Sequence, residues 1–194
     1  MKKAIAILVL GLLFISAPSY ADDIRDFQIE GISIGDSILD YFTKEEIERN
    51  KWDYFKSKKF TPLQFNHVSF AETYDAVDIQ YKTNDKNFKV SGISGIILYK
   101  YNISDCYAKM DSVVNEMEEL FKNIASRGKK TVDKHTGTKD AGKSKVTGVY
   151  FTFASGDGAA IQCYDYSQKS GDDDHLRVNL NTKEYIYFLR NEAY

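Results

Sequence analysis

The stretch AVDIQYKTNDKNFKVSGISGIILYKY, residues 76–101, decides the fold class. Apolar and polar side chains alternate from Ala76 to Lys82, a pattern typical of a strand with one apolar and one polar face. The turn-forming letters NDKN follow, and a strand pattern resumes from Phe88 to Tyr101, with a bulge expected near Gly92 or Gly95. A short polar turn between two such runs predicts an antiparallel hairpin.

Further strands and hairpins are predicted along the rest of the chain. Strand patterns occupy residues 65–70, 149–153 and 159–166, and the last two flank the turn SGDG. A later strand around Val178 has its apolar residues on one face. Successive hairpins, without alternation of strands and helices, indicate an α+β protein with an antiparallel sheet of five to seven strands.

One long amphipathic helix is predicted to pack against this sheet. Apolar residues recur at spacings of three and four from Ser104 or Asp105 to about Ser126. Shorter helices are expected near both ends of the chain. The N-terminal region has two capping boxes, Ser37 with Asp40 and Thr43 with Glu46, and would hold one bent helix or two short ones to about Asn50. The C-terminal helix would run from Thr182.

The N-terminus has the pattern of a secretory signal peptide, residues 1–21, with cleavage predicted after Ala21. Lys2 and Lys3 precede an apolar run of about a dozen residues, shorter than the roughly 20 that span a bilayer. We therefore expect residues 22–194 to form a single globular domain, periplasmic or secreted, without a transmembrane segment. Removal of the two lysines leaves 24 basic and 28 acidic side chains, so no nucleic-acid partner is expected.

Cys106 and Cys163 are the two cysteines of the chain, and both follow the predicted cleavage site. In an oxidising compartment such a pair is more often bridged than free, and its spacing is not that of a redox Cys-x-x-Cys motif. Cys106 falls on the edge of the apolar stripe of the long helix. The sequence therefore predicts a disulfide between this helix and a strand.

Two charged segments leave alternatives open. The lysine-rich segment Arg127–Gly148 is predicted to be a solvated loop, with docking to an anionic surface as the alternative. Asp172–Asp174 is predicted to be a solvated acidic turn, with calcium binding as the alternative. His67, His135 and His175 are too far apart in sequence for a metal motif, and no metal or cofactor is predicted.

The run Ile34-Gly35-Asp36-Ser37-Ile38 resembles the first signature of the GDSL or SGNH hydrolases, a family of esterases and lipases. The resemblance implies that Ser37 attacks an ester carbonyl. Asp172 and His175 match the family's Asp-x-x-His spacing, in which the histidine takes the serine proton. The family's oxyanion-hole block Gly-x-Asn has its nearest match at Lys82-Thr83-Asn84, and the family's sheet is parallel, unlike the one predicted here.

The same residues also have a structural interpretation. Gly35 would end an extended segment, and Asp36 or Ser37 would accept a hydrogen bond from an amide at the start of a helix. The fourteen tyrosines either cover half-buried strand surface or stack on sugars or peptides. The layout of a short N-terminal helix followed by a strand meander is also similar to the small lipoprotein subunit of the outer-membrane β-barrel assembly machinery, which implies a binding or assembly role.

No complete catalytic set agrees with the predicted fold. We therefore expect a non-catalytic binding or interaction protein of the bacterial cell envelope, whose partner is an unknown protein or small molecule. The alternative is a GDSL-like serine esterase that uses Ser37, Asp172 and His175.

Overall fold

The structure is a computed structural model that describes residues 23–66, 71–135 and 143–194. The predicted signal peptide, His67 and the end of the predicted strand 65–70 lie outside these ranges. The described residues form ten strands and three α-helices: β1 (Gln28–Ile29), β2 (Ile32–Ser33), α1 (Lys44–Arg49), β3 (Phe60–Asn66), β4 (Ala76–Lys82), β5 (Val90–Lys100), α2 (Ile103–Leu120), β6 (Ala125–Arg127), β7 (Thr131–Lys134), β8 (Lys145–Phe153), β9 (Gly158–Asp165), β10 (Asp174–Asn181) and α3 (Lys183–Asn191).

Eight of the strands form one antiparallel sheet in the order β3-β4-β5-β10-β9-β8-β6, and β7 also pairs with β8. The α+β class and the hairpins are confirmed, and the sheet is larger than the predicted five to seven strands. The additional strands are β6 and β7, and β7 and the start of β8 lie within Arg127–Gly148, so the prediction of a loop there is wrong for these residues. All four residues of β7 are exposed, so this strand has no apolar pattern in its sequence. Backbone pairing with β8 holds it in the sheet.

The first face of the sheet carries the main apolar core. Side chains such as Val77, Ile79 and Ile161 are fully buried there, and α2 packs across β5, β9 and β10. The helix ends at Leu120, earlier than predicted. The next residue, Phe121, places its ring against Phe27, Phe151 and Phe153, and the chain then joins the sheet as β6.

The predicted disulfide is confirmed. Cys106 of α2 and Cys163 of β9 are bonded across a sequence separation of 57 residues, with their Cα atoms 6.0 Å apart. Both side chains are fully buried. The bridge therefore fixes the longest helix to the middle of the sheet. In the part of the chain that the structure describes, no helix combines the length and apolar character needed to cross a membrane.

The second face of the sheet is only partly covered, at one end, by α3. A Cβ atom on Gly92 would lie 2.7 Å from the ring of Tyr185, and one on Gly158 would lie 3.0 Å from Ile186 Cδ1, so both glycines permit this close approach. The predicted bulge is confirmed beside Gly92, because the register of β4 against β5 shifts and leaves Ser91 as the extra residue. The apolar cluster under α3 consists of Phe55, Phe60, Tyr185, Phe188 and Ala193.

Candidate functional site

The uncovered part of the second face forms the floor of a cavity of about 760 Å³. Its walls are the C-terminal residues and the aromatic segment, which we define as residues 52–55. Backbone hydrogen bonds hold this segment between the edge strand β3 and the C-terminal residues, since Trp52 N donates to Pro62 O at 3.0 Å and Lys56 N donates to Ala193 O at 3.0 Å. The cavity volume lies within the roughly 300–1,000 Å³ typical of small-molecule sites.

A row of polar side chains crosses the cavity floor from strand to strand. Asp78, Ser94 and Asn179 are direct cross-strand neighbours and therefore lie on the same face. Ser94 Oγ donates to Asn179 Oδ1 at 2.7 Å, and Asn179 Nδ2 donates to Gln162 Oε1 at 2.9 Å. Gln162 Nε2 in turn donates to Tyr150 Oη at 3.0 Å. These hydrogen bonds fix the side chains in a defined arrangement before any ligand enters.

An ion pair lies on the same floor. Arg177 Nη2 is 2.8 Å from Asp78 Oδ2, and the Asp78 side chain is only 3% exposed. The Arg177 guanidinium also lies 5.6 Å from the centre of the Tyr164 ring. Burial disfavours the charged guanidinium and lowers its pKa. The Asp78 carboxylate and the nearby tyrosines together outweigh this effect, so the pKa of Arg177 is raised and the side chain stays charged.

Three polar atoms of cavity-lining side chains lack hydrogen-bond partners among the described residues. They are Asp78 Oδ1, Gln80 Oε1 and Arg177 Nε, and each is itself buried. An unpaired buried polar atom destabilises a fold by about 1–3 kcal/mol, and native proteins contain few of them. These three atoms belong to side chains that line one cavity, so rotation of the side chains toward it would let them form hydrogen bonds to a bound molecule.

Aromatic rings form the walls of the cavity. On one side the ring centres of Trp52 and Tyr54 are 4.6 Å apart, and the ring centre of Tyr194 is 5.8 Å from that of Tyr54. Trp52 is 42% exposed although it lines the cavity. On the other side, burial raises the pKa of Tyr166, so its hydroxyl stays protonated. Six of the fourteen tyrosines line the cavity: Tyr54, Tyr150, Tyr164, Tyr166, Tyr185 and Tyr194.

The three residues of the hydrolase alternative do not meet. Ser37 forms an isolated antiparallel β-bridge with Lys89, immediately before β5, whereas His175 pairs with Leu98 near the other end of β5. Nine strand residues at about 3.3 Å each separate the two positions by about 30 Å. Asp172 lines the cavity, whereas neither Ser37 nor His175 is among the residues that line it.

Ser37 has a structural role that differs from the predicted one. Its Oγ donates to Asn87 O at 3.0 Å and makes no cap hydrogen bond, and the residues after it form only a short 3-10 turn, Ile38–Asp40. Asp36 instead accepts from Ser33 N at 2.8 Å and Tyr41 Oη at 2.6 Å. The predicted cap at Asp36 or Ser37 is therefore wrong.

Two neighbouring features agree with the sequence interpretation. Gly35 ends the extended segment with φ at +91°, a conformation that favours glycine. The second predicted capping box is confirmed at the start of α1, where Thr43 Oγ1 accepts from Glu46 N and the Glu46 carboxylate accepts from Thr43 N.

The histidines and the acidic turn also have identified surroundings. His175 stacks on Tyr164 at 4.5 Å, and the ring of His135 lies 5.5 Å from the same tyrosine. Asp174 Oδ1 accepts from Tyr166 N at 2.8 Å and so closes the loop between β9 and β10. Among the described residues, no three histidine, cysteine, aspartate or glutamate side chains are grouped so that they could hold a metal ion.

We expect Ser37 to be unreactive toward a fluorophosphonate probe, because its Oγ donates to Asn87 O and His175, the base of the hydrolase alternative, lies far along β5. Incubation of the purified chain with the probe, followed by intact-mass spectrometry, should show no stoichiometric adduct. The Ser37→Ala variant should remain folded. Its free energy of unfolding should fall by about 0.5–1.5 kcal/mol because the hydrogen bond from Ser37 Oγ to Asn87 O is lost. Stoichiometric labelling of the natural chain that disappears in Ser37→Ala would support the esterase alternative.

The stability of the protein is expected to depend on the protonation of His175. Its Nδ1 donates to Asp173 O at 3.1 Å, and Nε2 is buried without a partner in the described ranges. Burial, and then the charge of Arg177, lowers the pKa of His175 to about 3. The unfolded chain takes up this proton below pH of about 6.5, so stability falls as the pH drops from about 6.5 towards 3.

Urea denaturation of the natural chain and of His175→Gln at pH 7 and pH 5 tests this dependence. The natural chain should lose up to about 2 kcal/mol more than the variant between the two pH values. Equal losses in the two proteins would show that His175 is accessible to protons in the folded state.

Local sequence motifs did not identify the cavity residues. The alternation in residues 76–82 placed Asp78 and Gln80 together on one face of a strand, and this was the available signal. Arg177 and Asn179 alternate in the same way with Leu176 and Val178 on β10.

No family model matches the sequence, and the searches of the curated proteins and of the solved structures found no match to it.

Proposed function

We propose that this protein binds a small polar molecule in the cavity on the second face of the sheet and acts without catalysis. The observation that supports this function most strongly is the set of unpaired buried atoms of Asp78, Gln80 and Arg177 on the cavity floor. These atoms destabilise the empty fold, and a polar ligand that paired with them would recover that energy.

The arrangement favours binding over the esterase alternative. The floor is held by hydrogen bonds within the protein, the walls offer exposed rings, and the cavity has the size of a small-molecule site. Ser37 lies about 30 Å along β5 from His175, so this serine is not paired with the base that the esterase alternative assigns to it. The signal-peptide pattern and the disulfide support a periplasmic or secreted location in a bacterial envelope.

The proposal is tested by thermal unfolding of residues 22–194 in the presence of neutral sugars, amino acids, nucleosides, phosphate esters and dicarboxylates. At least one compound should raise the melting temperature, because binding to the folded state alone stabilises it. If no compound in any class raises the melting temperature, the proposal is contradicted.

A matched pair of variants localises the effect to the cavity. Gln80→Met keeps the side-chain length and removes Oε1, so it should weaken binding at least tenfold while the unliganded protein stays equally or more stable. Gln168→Met makes the same chemical change at an exposed residue and should bind as the natural chain does. Equal affinities in the two variants would place the ligand elsewhere.

A further inference from the structure

We infer that the ligand is a neutral saccharide of about one to three sugar rings. The inference rests on the proposed function, since it names the chemical class of molecule for the same cavity. Four properties of the lining support it: its charge, the chemistry of its floor, its aromatic walls and its size.

The charge of the lining disfavours an anionic ligand. Its ionisable carboxylates belong to Asp78, Asp133 and Asp172, and its guanidinium groups belong to Arg177 and Arg190. Asp78 and Arg177 neutralise each other at 2.8 Å, so the remaining side chains carry two negative charges and one positive charge. A phosphate or dicarboxylate would meet a net negative surface, whereas a neutral molecule avoids this repulsion.

The floor offers hydrogen-bonding groups suited to hydroxyls. The amides of Gln80, Gln162 and Asn179 each contain a donor and an acceptor, and the ion pair of Asp78 and Arg177 adds an unpaired acceptor and an unpaired donor. A hydroxyl can donate and accept at the same time, so adjacent sugar hydroxyls can pair with both kinds of group. A hydrocarbon ligand would leave Asp78 Oδ1, Gln80 Oε1 and Arg177 Nε unpaired.

The walls offer the second kind of surface that a sugar needs. Trp52 and Tyr54 are 42% and 37% exposed and line the same cavity as the floor residues. The C–H groups on the faces of a pyranose ring are apolar and pack on aromatic rings, while its hydroxyls project from the edge. Exposed rings and a polar floor in one cavity thus match both surfaces of a sugar ring.

The size sets the length of the saccharide. A cavity of about 760 Å³ lies in the upper part of the roughly 300–1,000 Å³ range of small-molecule sites, so it accommodates a short saccharide with room for water. Such a unit is either a free oligosaccharide or a segment of a polysaccharide. Both sources share the same recognition chemistry, and the experiment below separates them.

The one tryptophan of the chain makes the test specific to the cavity, because Trp52 lines it. Trp52 fluorescence is titrated with glucose, maltotriose, cellotriose and N,N′-diacetylchitobiose, and separately with lysine, glutamate, inorganic phosphate and decanoate. We expect a saturable change with at least one saccharide and none with the other four compounds. Co-sedimentation with insoluble cellulose and chitin then distinguishes a polysaccharide from a free saccharide.

Variants complete the test by calorimetry with the tightest-binding saccharide. Tyr54→Leu removes a cavity ring and should weaken binding at least tenfold, whereas Tyr187→Leu changes an exposed tyrosine outside the cavity and should leave the affinity unchanged. Binding of an amino acid or phosphate with no response to sugars overturns the saccharide inference and leaves the proposed function standing, whereas binding of decanoate alone overturns both. No saturable response to any of the eight compounds, with no thermal shift in the broader set, overturns both.

Discussion

Replacing Asp78 by alanine is expected to lower the free energy of unfolding by about 3–5 kcal/mol. The change leaves the Arg177 guanidinium largely buried without its anionic partner, and breaking a buried ion pair is strongly destabilising for this reason. Urea or guanidinium denaturation at pH 7, followed by tyrosine and tryptophan fluorescence, measures the effect.

Two controls separate the buried charge from general effects of the substitution. Asp53→Ala removes the carboxylate of an exposed ion pair with Lys58 and should have little effect. The double variant Asp78→Leu/Arg177→Met removes both charges and should recover most of the stability that Asp78→Ala loses. If Asp78→Ala lowers the free energy of unfolding no more than Asp53→Ala does, the ion pair of Asp78 and Arg177 is solvated.

Replacing Cys106 and Cys163 together by alanine is expected to lower the free energy of unfolding by about 4 kcal/mol. The bridge closes a long loop, with 57 residues of sequence separation, and so restricts the unfolded chain. Denaturation with and without a thiol reductant provides the measurement. The natural chain should lose this stability when reduced, and the double variant should not respond.

The same prediction has a direct chemical control. Non-reducing peptide mass spectrometry of protein purified from a periplasm should show Cys106 joined to Cys163. Two freely alkylated thiols, or equal stability of the natural chain with and without reductant, would be incompatible with a bridge that stabilises the folded protein.

Side-chain alternation was sufficient to predict the central hairpin. Residues 76–101 form β4 and β5, and the bulge lies beside Gly92, because apolar periodicity and turn residues act locally. The same reasoning could not find β6 and β7. Their residues are mostly charged or exposed, and β8 places them by backbone hydrogen bonds that any side chain permits.

The candidate site was less accessible to sequence reasoning than the fold. The motif around Ser37 is local and visible, but a triad also requires three side chains to meet, and β5 separates Ser37 from His175. The cavity depends on the opposite situation. Asp78 and Arg177 belong to strands that are far apart in sequence. Their face of the sheet becomes a cavity only because residues 52–55 and α3 pack beside it.

Titration of the isotope-labelled chain with its tightest-binding compound, followed by nuclear magnetic resonance, tests most directly whether this cavity is the functional site. The side-chain amide signals of Gln80, Gln162 and Asn179 and the indole N–H signal of Trp52 should all shift and saturate with one dissociation constant, because these groups line the cavity. The proposal is contradicted if those signals stay fixed while backbone signals around Ser37 move.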